Sequence, residues 1–146
     1  MAATTATITL SSLDIADNPV NISNTATLYT AGTDTGLTET TGLARKKTSS
    51  GSNTILLDHG LTSGVAADMT ADKSAKVYIK NCNDRGDGTK YVTILIVDKE
   101  IGRLYGGDWM FIPYSGGSGK DIEFTASDTT ETILEYALFL CLQLKL

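Results

Sequence analysis

Ile101-Gly102-Arg103-Leu104-Tyr105-Gly106-Gly107-Asp108-Trp109-Met110-Phe111-Ile112-Pro113-Tyr114-Ser115 is the stretch whose reading decides the fold class. Two short apolar runs flank a Gly-Gly-Asp tripeptide, and the apolar positions do not recur with helical period. Gly106 and Gly107 admit the positive φ that a tight reversal needs. Pro113 cannot donate to a ladder, so it belongs at a strand end or a sheet edge. The stretch therefore reads as strand, tight turn, strand. The glycine-rich loop at 115–119 then leads to Asp121-Ile122-Glu123-Phe124-Thr125, whose strict alternation places Ile122 and Phe124 on the inward face of a further strand.

Working outward, Lys76-Val77-Tyr78-Ile79-Lys80 alternates charge with apolar bulk, so Val77 and Ile79 share one face. Residues 91–97 form a nearly continuous apolar strand, expected to be covered on both sides, and Asp98-Lys99-Glu100 reads as a charged turn. Residues 132–146 form the last strand. One of its faces carries Leu134, Tyr136, Leu138, Leu140 and Leu142, the other Ile133, Ala137, Phe139 and Cys141, with Glu135 as the lone charge inside. A sandwich strand ordinarily keeps one face wet. Here both are apolar, so either the N-terminal arm or, as the favoured expectation, a second subunit covers what the chain's own core does not.

The first 42 residues differ from the rest. Thr4-Thr5-Ala6-Thr7-Ile8-Thr9-Leu10 and Asn24-Thr25-Ala26-Thr27-Leu28-Tyr29-Thr30 read as weak strands, separated by the turn signal Asp17-Asn18-Pro19. Residues 32–42 are Thr- and Gly-rich with few apolar anchors, and are expected to order only against a neighbour. Residues 44–48 and 53–57 read as a hairpin around Ser49-Ser50-Gly51-Ser52, and residues 66–69 as at most one helical turn. Many short strands, frequent glycine turns and no long helical period together give an all-β fold: an antiparallel, jelly-roll-like β-sandwich over residues 43–146, preceded by an extended Thr-rich N-terminal arm over residues 1–42.

Composition narrows the function classes. A formal net charge of −5 lacks the electrostatic footprint of nucleic-acid binding. Arg45-Lys46-Lys47, the densest basic run, reads as a solvated strand end. Cys82 and Cys141 are two distant free thiols rather than a disulfide framework. The N-terminus has no basic and apolar leader, and the most apolar run is too short to span a bilayer, so the expectation is cytoplasmic synthesis and no membrane. His59 is the only histidine, and no Gly-x-Ser-x-Gly elbow accompanies it. With two distant cysteines and one histidine a structural zinc site lacks ligands. Gly116-Gly117-Ser118-Gly119-Lys120 continues with Asp121 and no helix, unlike a phosphate loop. Aligning residues 83–88 on a calcium loop places Arg85 where an oxygen ligand belongs and Ile94 where the closing Glu belongs. Arg85-Gly86-Asp87 reads as a loop tip. No catalytic, cofactor-binding or metal-binding residue emerges, and the chain is not expected to be an enzyme.

The blocks Val77-Tyr78-Ile79-Lys80-Asn81, the run from position 101 to Pro113, Asp121-Ile122 and Glu135-Tyr136 resemble small β-rich virion structural proteins of tailed bacteriophages, in particular those of cyanobacteria and marine bacteria. The match falls within residues 76–140 and touches nothing in the N-terminal third. It implies a multi-copy structural protein of the particle, a capsid decoration (cement) protein, often trimeric, made in the host cytoplasm and seated on the major capsid protein or another virion protein. With the apolar last strand, it points to self-association through Trp109, Phe111, Tyr114, Leu134, Tyr136, Leu138, Leu140 and Leu142, and to arm contacts through Ile8, Leu10, Leu28 and Tyr29. A tail, neck or fibre adaptor is the alternative within a particle. Outside one, it is a carbohydrate-binding β-sandwich using Trp109, Tyr105 and Tyr114.

Overall fold

The computed structural model describes residues 3–12, 20–30, 36–40, 42–48, 51–57, 74–86, 90–115, 120–128 and 131–142. These residues form strands and turns without a helix. The strands are β1 (Ala3–Ser12), β2 (Val20–Thr30), β3 (Gly36–Thr40), β4 (Ala44–Thr48), β5 (Thr54–Leu57), β6 (Ser74–Asn81), β7 (Tyr91–Ile96), β8 (Lys99–Tyr105), β9 (Trp109–Ser115), β10 (Ile122–Ala126) and β11 (Thr132–Leu142). They assemble into three antiparallel sheets: a ribbon β1-β2, a four-stranded sheet β5-β10-β7-β8, and a five-stranded sheet β3-β11-β6-β9 in which β4 also pairs with β11.

The two larger sheets make the sandwich. Period-two alternation sends Val92, Ile94, Ile122 and Phe124 inward from one and Val77, Ile79, Leu134 and Leu138 from the other. These are the largest fully buried side chains among the described residues. Burying each stabilises the fold by about 1.5–3 kcal/mol. β11 is the hub of its sheet: β6 runs along one edge, while β4 and β3 share the other edge in succession.

Several local expectations change. β4 and β5 do not form a hairpin with each other. β4 pairs with β11 in one sheet and β5 with β10 in the other, so residues 48–54 carry the chain between layers. β7 buries only one face: Val92 and Ile94 are sealed, whereas Tyr91, Thr93 and Leu95 are half-buried on the outside. The turn after β7 is Val97-Asp98, both at positive φ (54° and 58°), because Ile96 pairs directly with Lys99. The Gly106-Gly107 turn does reverse the chain, with Gly107 at φ 83° and Asp108 N donating to Tyr105 O at 2.9 Å. It also switches layers, since β8 lies in the four-stranded sheet and β9 in the five-stranded one. Of the residues expected to form an arm, β1 and β2 build their own ribbon. β3 instead joins the sandwich on β11, where its backbone groups find partners.

Candidate interaction surface

The last strand resolves into two faces with different fates. Of its even positions, Leu134 and Leu138 are fully buried in the core and Tyr136 packs against the buried cluster. Tyr114 is buried with them, and its hydroxyl donates to Lys120 O. Burial first, and the nearby Asp121 second, push the Tyr114 phenol up to about 12. Leu134, Leu138 and Tyr114 were expected at a contact between subunits. The chain's own second sheet takes that place, and a partner could reach them only by opening the sandwich. The side chains of Leu140, Leu142 and Tyr29 lie outside the described residues, as do His59, residues 17–19, 66–69 and 116–119, and Asp87.

The outer face of the five-stranded sheet carries Glu135, Ala137 and Phe139 of β11, Trp109 and Phe111 of β9, and Tyr78 and Lys80 of β6. Register places Phe111 beside Tyr78 and Tyr78 beside Ala137, with Trp109 beside Lys80 and Lys80 beside Glu135. An aromatic patch results. Phe111 and Phe139 meet edge to face at 6.0 Å between ring centroids, and Tyr78 and Trp109 tilt together at 6.5 Å. Trp109 is half exposed and Phe111 half-buried. Burial, then Glu135 and Cys82, raise the pKa of the Tyr78 phenol. Arg45 donates from Nε and a terminal nitrogen to one oxygen of Glu135, each at 3.0 Å. The basic run is therefore not a uniform solvated end: Lys47 pairs with Glu131 at 3.1 Å, while Lys46 turns across to donate to Ile55 O on the facing sheet.

The sugar-binding trio does not come together. Tyr114 is in the core, Tyr105 meets Tyr91 at a tilt on the four-stranded sheet with ring centroids 5.6 Å apart, and Trp109 stands on the opposite layer beside Tyr78.

The ribbon is the second surface. Ala6 pairs with Ala26, Ile8 with Asn24, Leu10 with Ile22 and Ser12 with Val20, which collects the aliphatic side chains on one face. The other face carries Thr5, Thr7 and Thr9 opposite Thr27, Thr25 and Ser23. Thr7 and Thr25 hydroxyls meet at 3.0 Å and Thr9 and Ser23 at 3.5 Å. A register shift after Thr4 leaves Leu28 as the extra residue of a bulge, buried to 7% exposure. Further along, burial ends: Ile8, Leu10, Val20 and Ile22 are 36%, 53%, 43% and 50% exposed. β1 and β2 contain no charged residue. Val20 and Ile22 escaped the sequence reading because the turn signal before them masked a three-residue alternation, Val20-Asn21-Ile22. Tyr78 and Phe139 escaped because only register shows which residues of separate strands share a face.

The polar loop after β6 is a structural knot. Asn81 Nδ2 donates to Leu104 O at 3.0 Å, and Asn81 Oδ1 accepts from Asn83 N at 3.1 Å. Asn83 Oδ1 accepts from Ile133 N at 3.2 Å. Arg85 reaches the Asp108 carboxylate, which also accepts from Tyr105 N at 3.0 Å and so braces the layer-switching turn. Cys82 is a free thiol. Among the described residues no three His, Cys, Asp or Glu side chains cluster to hold a metal. A comparison of the chain with protein-family models and with curated proteins finds no match.

Proposed function

We propose that this chain is an assembly protein of a virus particle, a phage capsid cement protein that binds the outer shell and bridges neighbouring subunits. The observation that carries the assembly reading is the ribbon, whose two strands hold no charged residue and whose Ile8, Leu10, Val20 and Ile22 gather on one face and stay in water. Such a strip is a liability on a solitary chain and an asset on one that meets partners. The half-exposed Trp109, with Phe111 and Phe139, supports the same reading from the other surface, since aromatics dominate the buried centres of interfaces. The virion setting rests on the resemblance of residues 76–140. The partners on this reading are further copies of the chain and a shell protein.

Cosedimentation with shells stripped of the protein tests it. Saturable binding at a ratio matching the shell's subunits supports cement. Saturation at the few copies of one ring supports a tail, neck or fibre adaptor instead. No binding to any particle component removes the reading. A glycan-binding face is the second reading, favoured by Trp109 standing beside Tyr78 with Lys80 and Glu135 in adjacent register. It requires sugars to quench the fluorescence of the single tryptophan.

A further inference from the structure

We infer that the outer face of the five-stranded sheet binds an acidic sugar chain, with the rings of Tyr78, Trp109 and Phe111 under the sugars and Lys76 and Lys80 holding their carboxylates. This rests on the glycan-binding reading and adds the charge of the ligand. It leaves assembly to the ribbon that carries it. Lys76, Tyr78 and Lys80 alternate with the buried Val77 and Ile79, so all three stand on the outer face of β6. Register sets Lys80 between Trp109 and Glu135, and Lys76 between Pro113 and Phe139. The Tyr78–Trp109 and Phe111–Phe139 ring pairs therefore share their face with two lysines roughly 13 Å apart along the strand.

Both lysines are half-buried, and their charge is not matched within the chain. Arg45 takes Glu135 and Lys47 takes Glu131, whereas Lys76 and Lys80 have no ion-pair partner among the described residues. Neither lies over a ring, as Arg103 does over Tyr91 on the other sheet. A chain of net charge −5 thus keeps two uncompensated cations on one aromatic face. A carboxylate brought beside a half-buried ammonium stabilises it. The rings narrow the rest of the ligand. A pyranose offers a face of C–H groups that suits the negative face of an aromatic ring. Its hydroxyls keep the water that an open sheet face leaves in place. The centres of protein interfaces are depleted in lysine, so lysines seated among the rings disfavour a folded protein there. Single-stranded nucleic acid needs a continuous basic track, which two free cations on a body of charge −5 do not make. A sugar chain with intermittent carboxylates fits two separated lysines.

Titration of the full chain with oligogalacturonate and oligomannuronate, read by the fluorescence of Trp109 and by calorimetry, tests this. The expected result is saturable quenching that weakens as salt is added. The same oligosaccharides with their carboxyls methyl-esterified should bind about tenfold more weakly. Lys76→Gln and Lys80→Gln should each weaken binding of the acid form several-fold and leave binding of the ester unchanged. Lys99→Gln, the same change of charge in β8 of the other sheet, should do neither. Unchanged melting of the three variants separates a lost contact from a lost fold. Equal binding of acid and ester overturns the inference and leaves the glycan reading standing. Silence toward acid and ester alike overturns both. An oligodeoxythymidylate that binds more tightly than either uronate overturns the inference in favour of nucleic acid. Lys99→Gln weakening binding as much as Lys80→Gln overturns it too, since attraction would then come from the whole charge of the body and not from this face.

Discussion

The ribbon and the sandwich are built from the same alternating β-forming residues, yet they handle their aliphatic side chains in opposite ways. In the sandwich Val77, Ile79, Val92, Ile94, Ile122, Phe124, Leu134 and Leu138 face the opposite sheet and lose nearly all contact with water, while Ile55, Val97 and Ile101 on its outside stay 38%, 47% and 43% exposed. In the ribbon the same alternation meets no second layer among the described residues, and Leu10 and Ile22 keep half their surface in solvent. What differs is the supply of a facing sheet, not the local pattern. The buried core is thus concentrated in one region, while the other keeps a strip of aliphatic side chains in solvent.

The sharpest way to break that contrast is a pair of truncations. Phe124→Ala, in the fully buried centre, should destabilise the chain by about 3–5 kcal/mol in urea unfolding. Ile22→Ala, on the ribbon, should change the unfolding of the dissociated monomer by no more than about 0.5 kcal/mol. Comparable losses at both sites would mean the ribbon belongs to the same cooperative core.

Gly106→Ala should rank next. A Cβ at that position would lie 2.4 Å from Asp84 O and 2.6 Å from Asp84 C, backbone atoms that cannot swing away. The layer switch would have to shift, at a cost of about 1–3 kcal/mol in thermal or chemical unfolding. A neutral result would show that the turn joining the two sheets is slack and that the sandwich is less tightly organised than its burial implies.

The β7-β8 turn offers a smaller gain. Val97 and Asp98 both adopt the left-handed conformation, which a β-branched residue resists. Val97→Asn with Asp98→Gly supplies the pair that a two-residue hairpin turn favours, and should stabilise the sandwich by about 1 kcal/mol without altering self-association. A change in sedimentation with this variant would tie the turn to the interface and blur the division of labour.

The mildest effect is alkaline. Tyr114 ionises at about 12 in the folded chain against 10.0 for an ordinary phenol, because burial disfavours the phenolate. Above pH 10 the unfolded chain therefore releases this proton while the folded chain retains it, and stability falls between pH 10 and about 12. Tyr114→Phe should remove this contribution to the alkaline loss. Ultraviolet titration should show one of the six tyrosines resisting ionisation until the sandwich opens. If the phenol titrates normally, the core at that end is wet.

Much of the sandwich was legible. Alternation at Val77-Tyr78-Ile79 and Ile122-Glu123-Phe124 identified inward residues correctly, because period two is a property of the backbone itself. The same rule could not choose between the faces of β11, where Leu134 and Leu138 turned out to be core and Phe139 surface, since both faces are apolar. It also could not tell that β4 and β5 lie in different sheets. A short loop between two strand-like runs favours a hairpin locally, and only the empty edges of β11 and β10 explain why the chain crosses over instead.

The amino-acid order by itself determined that this chain is made of short antiparallel strands, where glycines let it turn, and which side of an alternating strand is apolar, because those are consequences of backbone geometry and side-chain chemistry within a few residues. Only the tertiary structure decided which apolar face found a cover and which was left in water. That depends on strands distant in sequence arriving as a second layer, and no local pattern encodes their arrival. Leu138 and Ile22 are equally greasy in the sequence; a facing sheet makes one a core residue, and no layer among the described residues covers the other.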